Sequence, residues 1–210
     1  MRYRSSVRSG YRYRLRIDDA ERPFGLSSKT RSSLRRKRRK IEALQRFEVR
    51  WSIDEETSMQ NFRTLVNLHS QRWNTVGKPG AFATQQFTDF HRDLVLELLS
   101  RDRLILFSLW IGGSPIAAHY CLCEADTAFF YQSGVDIQQF SDLSPGNVCH
   151  LLAIEESSRR GLRYYDFMAG GENSYKNRFT RPDEEALVTT TYFRSFAARH
   201  LLPVRERLPF

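Results

Sequence analysis

Apolar residues recur along this chain with two periods. Phe47 to Trp51 alternates apolar with polar, the two-residue period of a half-buried strand. Ser52-Ile53-Asp54-Glu55 has the spacing of a capping box, so a helix is predicted to start there. Met59, Phe62, Leu65, Val66, His69 and Trp73 then recur at helical spacing to about Thr75, and Gly77 with Pro79-Gly80 ends the run. A second amphipathic helix is predicted from Gln86 to Ser100, with Phe87, Phe90, Leu94 and Leu98 on one face. Three strands follow: Leu104 to Ile111, Ile116 to Leu122 and Thr127 to Val135, joined by the turn residues Gly112-Gly113-Ser114-Pro115 and Glu124-Ala125-Asp126. Residues 127 to 168 then read strand, helix, strand, a crossover that is right-handed and makes its two strands parallel. The pattern predicts an α/β (α+β) architecture: a mixed, mostly antiparallel sheet with one strand-helix-strand crossover and flanking helices.

The crossover helix carries the clearest chemical signal. Ser144 is a favoured N-cap, Pro145 suits the first helical position, and Gly146 permits close approach of a ligand to the backbone. The N–H groups of Gly146, Asn147 and Val148 are then expected to face outward, a cradle for an anion, although most such starts are plain caps. Val148, Leu151, Leu152 and Ile154 would pack this helix on the sheet, and Gly161 would end it after Arg159 and Arg160.

Charge is unevenly placed. Residues 1 to 50 hold 17 Lys and Arg against 5 Asp and Glu, a net of +12, whereas residues 51 to 210 hold 16 against 19, a net of −3. Residues 1 to 26 show little apolar periodicity and alternate basic with aromatic residues in Tyr11-Arg12-Tyr13-Arg14, so they read as a basic arm, either an edge strand or disordered. Ser27 to Leu44 reads as a basic helix centred on Arg35-Arg36-Lys37-Arg38-Arg39-Lys40. That stretch is either a solvated face or a patch for nucleic acid or another anionic polymer, with an anionic cofactor beside it as a third use.

Other features narrow the classes. At 40% hydrophobic and 13% aromatic over 210 residues, the chain can bury a sizeable core. No apolar run approaches the roughly 20 residues of a membrane span, and the basic start leads into no apolar signal segment, so the cytoplasm is the expected location. Cys121, Cys123 and Cys149 are expected as reduced thiols. His119, Cys121 and Cys123 share one face of a strand but lack the spacing of a zinc site, so buried thiols are expected there and no metal. Cys149 and His150 are neighbours on a helix, about 100° apart, which disfavours a nucleophile–base pair. His69 and Trp73 are expected to pack the core.

Ser144-Pro145-Gly146, Arg160-Gly161, Tyr165-Asp166-Phe167, Gly171 and Tyr175-Lys176-Asn177-Arg178-Phe179 together resemble the acetyltransferase domain of CelD/BcsL-type proteins in the GNAT superfamily. Arg72-Trp73, Gly80-Ala81-Phe82, Pro115-Ile116-Ala117-Ala118, Tyr131 and Gly134-Val135-Asp136 fit as well, so the similarity spans residues 27 to 197 and leaves 198 to 210 as a tail. The resemblance implies a GNAT-like sheet splayed between its central strands, with acetyl-CoA or another acyl-CoA in the cleft. Ser144, Gly146, Asn147, Val148 and Lys176 would bind that carrier, and Arg72, Trp73 and Tyr131 the acceptor, an amine or a saccharide. It also implies a role in polysaccharide or cell-envelope metabolism. Relatives of this type are commonly longer, so the resemblance implies an acceptor site that is either incomplete or completed by another subunit.

Thioester aminolysis needs a proton acceptor, a donor to the leaving thiolate and polar groups at the oxyanion. Asp166 is the candidate base, or else fixes a loop through backbone N–H groups; Tyr175 is the candidate acid, or else a packing aromatic. Lys176 is a phosphate or acceptor ligand, or else a surface residue. Two other functions share the expected fold: a FemX-like peptidyltransferase using aminoacyl-tRNA, whose RNA the Arg35 to Lys40 stretch would contact, and a binding module without turnover.

Overall fold

The structure is a computed structural model that describes residues 2–18, 25–136 and 138–193. Its elements are β1 (Arg2–Arg16), α1 (Ser28–Glu42), β2 (Phe47–Trp51), α2 (Glu55–Thr75), α3 (Gln85–Ser100), β3 (Leu104–Ile111), β4 (Ser114–Glu124), β5 (Thr127–Val135), α4 (Pro145–Arg159), β6 (Tyr164–Gly170) and β7 (Asp183–Phe193). The strands form one sheet in the order β2-β3-β4-β5-β6-β1-β7. Every pair is antiparallel except β5 with β6, which the α4 crossover makes parallel.

Alternation along β3 explains its almost unbroken apolar run. Ile105, Phe107 and Leu109 point to a core shared with α1 and α4, while Leu104 and Leu106 point to a second core under α2 and α3. Both faces of the sheet are covered, so both phases of the strand are apolar. Phe62, Leu65 and Leu68 carry α2 onto the sheet. The approach is close enough that a Cβ on Gly134 of β5 would lie 2.6 Å from Leu68 Cβ and 2.8 Å from the His69 backbone nitrogen. His69 itself ties the layers: Nδ1 donates to the Ser133 carbonyl at 3.1 Å, and Nε2 accepts from the Ala81 amide at 3.1 Å.

Local expectations shift in three places. The α2 cap is Asp54, whose carboxylate and Thr57 form the capping box, two residues beyond the expected start, because Asp54 turns extended while Ser52 still bonds its amide to the Leu106 carbonyl of β3. Residues 2–16 of the expected arm are neither free nor an edge: β1 lies between β6 and β7 and pairs with both. The amino-terminal segment is thus part of the sheet, and its outer neighbour β7 was not among the expected strands although Val188, Thr189 to Thr191, Tyr192 and Phe193 are residues that favour strands. The tail expected at 198 to 210 lies outside the described residues.

A bulge shapes β6. Between the pairs Arg12↔Ala169 and Arg14↔Asp166, β6 carries two residues against one of β1. Met168, at φ 64°, takes the strained position. Asp166 Oδ1 accepts from the Met168 amide at 2.7 Å, and Lys176 Nζ donates to the Phe167 and Ala169 carbonyls at 2.6 Å each.

Candidate active site

The parallel pairing of β5 with β6 is short. It covers Thr127↔Tyr164, Ala128↔Tyr165 and Phe129↔Asp166, after which β5 continues on β4 alone to Val135 and β6 on β1 alone to Gly170. Beyond Phe129 the two strands part, and the edge of β5 facing β6 has no strand partner. The opening leads to a cavity of about 370 Å³. Ser133, Val135 and Asp136 of β5 line one wall, Ser144 to Asn147 at the start of α4 another, with Arg72 of α2, His150 and Tyr175 completing it.

The start of α4 differs in detail from the expected cap. Ser144 sits at φ 49°, ψ 58°, a left-handed conformation, and its side chain makes no cap bond. Its Oγ instead accepts from Lys37 Nζ of α1 at 2.7 Å. The Asn147 and Val148 amides both donate to the Ser144 carbonyl, at 2.9 and 3.3 Å, so of the three expected cradle amides only that of Gly146 meets no acceptor among the described residues. A Cβ on Gly146 would approach Val135 Cγ2 at 3.3 Å, narrowing the cleft at its tightest wall. Through its bond to Ser144, Lys37 sets its amino group at this helix start; burial lowers its pKa, with the charges of Arg178 and Arg36 acting in the same direction.

At the floor of the opening lies His150, 3% exposed and ringed by Phe130, Phe167 and Phe179 at 4.6 to 5.2 Å between ring centres. Its Nε2 is 3.0 Å from the Tyr175 hydroxyl and its Nδ1 3.0 Å from the Tyr165 hydroxyl. Desolvation holds its pKa well below the usual histidine range, with His119 and Lys176 acting in the same direction, so the ring is neutral. The Tyr175 ring is 46% exposed, yet its hydroxyl points inward; burial pushes its pKa up to about 12, against the pull of Arg72. At neutral pH the phenol therefore keeps its proton and lies on a neutral imidazole at the mouth of the cleft.

The expected residues divide accordingly. Arg72, Ser144, Gly146, Asn147 and Tyr175 come together at the cleft. Val148 is fully buried and contributes its side chain to the core. Trp73 lines a separate depression with Arg72, Val76 and Lys78. Tyr131 turns to the other face, its hydroxyl 2.9 Å from His91 Nε2. Asp166, 0% exposed, does not line the cleft: Oδ2 accepts from Arg12 Nε at 2.7 Å and Oδ1 from the Met168 amide, which is the loop-fixing role. Lys176 is 8% exposed and committed to the β6 carbonyls, where burial brings its pKa down to about 8 despite the Asp166 charge. Arg35, Arg36, Arg39 and Lys40 are exposed on α1, whereas Arg38 bridges Glu42 and Glu155. His119 and Cys121 both lie against the Tyr165 hydroxyl, at 2.8 and 3.7 Å, inside the core.

Sequence reading passed over His150 as a site residue. One signal was available: it is a titratable side chain in an apolar run, about a turn and a half into the helix that borders the cleft.

Residues 28–177 match the family model described as an acetyltransferase (GNAT) domain. The chain belongs to this family. It is an acyltransferase domain of GNAT type. Among curated proteins no sequence matches it. Solved structures share its fold at low identity. The C-terminal domain described as a lysylphosphatidylglycerol synthetase from Agrobacterium fabrum aligns with TM-score 0.56 at 13% identity, over 87% of this chain and 61% of that one. L-PGS from Bacillus licheniformis gives 0.55 at 12%, over 94% and 64%. FemX gives 0.55 at 11%, over 80% and 55%. The chain thus spans less than two thirds of each of these structures. Among the described residues no helix is long and apolar enough to cross a membrane.

Proposed function

We propose that this GNAT domain transfers an acyl group, acetyl in the simplest case, from acyl-CoA to an amine or sugar-type acceptor, in the manner of the CelD/BcsL type. The observation that carries this reading is the parting of β5 and β6 after Phe129 and Asp166, with the α4 start and the Tyr175–His150 pair at the opening. The residues fit such a carrier. The free edge of β5 offers backbone groups to an amide-bearing arm. The Gly146 amide and Lys37, bonded to Ser144 at the same helix start, offer donors and positive charge to its phosphates.

When bound, acyl-CoA supplies an activated carbonyl and a thiolate leaving group. Tyr175 donates a proton from its hydroxyl at the cleft wall, and His150 orients that hydroxyl through Nε2. Arg72 adds positive charge beside Tyr175, favouring negative charge that develops there. Among the described residues Asp136 is the one carboxylate lining the cleft, and it suits an incoming ammonium or hydroxyl group. The exclusion of water around His150 by its aromatic neighbours strengthens each of these interactions.

A second reading has its own support: the folds of FemX and of the lysylphosphatidylglycerol synthetases, and the exposed cations of α1, suit an aminoacyl-tRNA donor. Thermal unfolding with CoA, acetyl-CoA and tRNA separates the possibilities. Stabilisation by acetyl-CoA, about 2.7 kcal/mol at a hundredfold excess over Kd, is the expected result. Salt-sensitive stabilisation by tRNA alone transfers the activity to the second reading, and stabilisation by neither leaves a binding module without turnover. Gly146→Leu is expected to abolish the acetyl-CoA effect; an unchanged Kd in that variant refutes the placement of the carrier.

A further inference from the structure

The hydrogen-bond chain behind Tyr175 runs deeper than one histidine. From the cleft inward it passes through His150 and the Tyr165 hydroxyl to His119 Nε2, with spacings of 3.0, 3.0 and 2.8 Å. Every member beyond Tyr175 is buried, and Cys121 Sγ is the remaining neighbour of the Tyr165 oxygen at 3.7 Å. At the inner end, His119 Nδ1 is buried and meets no partner among the described residues. Proton positions along the chain follow from that orphan atom.

A buried orphan N–H is rarer and more costly than a buried orphan lone pair, so His119 carries its proton on Nε2 and leaves Nδ1 bare. Nε2–H then donates to the Tyr165 oxygen. Tyr165 has one hydroxyl proton, and with an N–H arriving from His119 it gives that proton to His150 Nδ1. His150, a neutral ring, must hold its single proton on Nε2 and donate it to the Tyr175 oxygen. The Tyr175 hydroxyl proton is therefore the one member of the chain left to point into the cleft. The opposite polarity, with Tyr175 donating inward, would bury an unpaired His119 N–H.

We infer that His119 and Tyr165 are positioning residues that fix His150 as the Nε2–H tautomer and so aim the Tyr175 proton at the cleft. This deepens the transferase reading and rests on it only for its use in catalysis. Of the other polar groups nearest the chain, Lys176, tied to the β6 carbonyls, and Arg72 at the cleft accept no hydrogen bond, and Cys121 Sγ, at 3.7 Å, is a weaker acceptor for the Tyr165 proton than the imidazole nitrogen of His150 at 3.0 Å.

The test is the imidazole nitrogen spectrum of the uniformly ¹⁵N-labelled protein at pH 7, where long-range ¹H–¹⁵N correlations distinguish the two tautomers. His119 and His150 are expected as single Nε2–H tautomers. Finding His150 protonated on Nδ1 overturns the inference without any variant. His119→Phe keeps the ring stack on Phe130 but removes the donor, and is expected to leave His150 in mixed tautomers. His119→Gln, which returns an N–H near the Nε2 position, restores the single form. An unmixed His150 spectrum in folded His119→Phe also overturns it. With acetyl-CoA as donor, kcat is expected to fall roughly tenfold in His119→Phe at constant KM and to recover in His119→Gln, less than the 10²–10⁴-fold of losing a proton donor itself. Failure of the carrier reading leaves the tautomers as stated, whereas failure of this inference shows in the tautomers whether or not a carrier binds.

Discussion

Two histidine–tyrosine pairs sit on opposite sides of this sheet and look alike in isolation. His91 Nε2 lies 2.9 Å from the Tyr131 hydroxyl under α3, and His150 Nε2 lies 3.0 Å from the Tyr175 hydroxyl under α4. Each imidazole is almost wholly buried and each has a pKa lowered by desolvation. The strands beneath them differ. Tyr131 is the bulged residue of β5, between the pairs Tyr120↔Gln132 and Cys121↔Phe130; the ladder with β4 continues on either side, and the first pair packs against the core under α2 and α3. Tyr175 stands where β5 and β6 have parted, so the second pair opens on a cavity. The same two residue types meet against a core on one face of the sheet and at a cavity on the other, where the β5–β6 pairing has ended.

The sharpest way to break this comparison is to remove both imidazoles separately. His150→Phe is expected to lower acyl transfer by about 10²–10⁴-fold, whereas His91→Phe, measured in the same turnover assay, leaves kcat unchanged in the folded protein. Equal losses would mean that the opening carries no special chemistry.

The wall of the opening can be loosened next. Arg12→Ala leaves the Asp166 carboxylate buried without its guanidinium and is expected to cost about 3 kcal/mol in thermal or urea unfolding. Turnover by the fraction still folded should persist, because Asp166 holds the β6 bulge and does not touch the cavity. Loss of turnover at full stability in Asp166→Asn would return the residue to the role of base.

Glycines sharpen the contrast further. Gly134→Ala forces a Cβ against the α2 backbone on the sealed side and is expected to cost about 1–3 kcal/mol. Gly146→Ala meets only a valine methyl at 3.3 Å, so stability should hold while carrier affinity falls. Calorimetry on both variants checks the pair.

Acid should affect both sides alike. His69, His91, His119 and His150 all have folded pKa values below the unfolded value, His119 down to about 3. Below pH 6.5 the unfolded chain therefore binds more protons than the folded one, so stability is complete above about 6.5 and declines as pH falls towards 3. The slope is at most about 1.4 kcal/mol per pH unit for each imidazole, read from urea midpoints across that window. A flat profile would mean that the rings are hydrated. The smallest effect belongs to Lys37→Met, expected to weaken acetyl-CoA binding by about 1 kcal/mol, with a shallower dependence on salt.

Much of the scaffold was legible because local rules govern it. Apolar period placed α2, α3, β3, β5 and α4 to within a residue or two, and the crossover rule gave the parallel pair. The amino-terminal strand was not legible as an interior strand: alternating Arg and Tyr describe a strand with one polar face but do not name its neighbours. Asp166 and Lys176 were read as site residues from their motif; Asp166 is instead paired with Arg12, 154 positions away in sequence, and Lys176 is tied to carbonyls of the β6 bulge, whose shape depends on pairing with β1.

By itself the sequence determined most of the helices and strands between residues 27 and 168, that helices flank a mixed sheet, and that a helix start with anion-binding potential follows β5. Side-chain period and capping chemistry act within a few residues, so those features are written locally. Only the tertiary structure decided that β5 and β6 separate after three pairs, that His150 and Tyr175 meet at the opening, and that His91 and Tyr131 do not reach it. Those outcomes depend on strand pairing and on desolvation by residues distant in the chain, and neither quantity has a local signature.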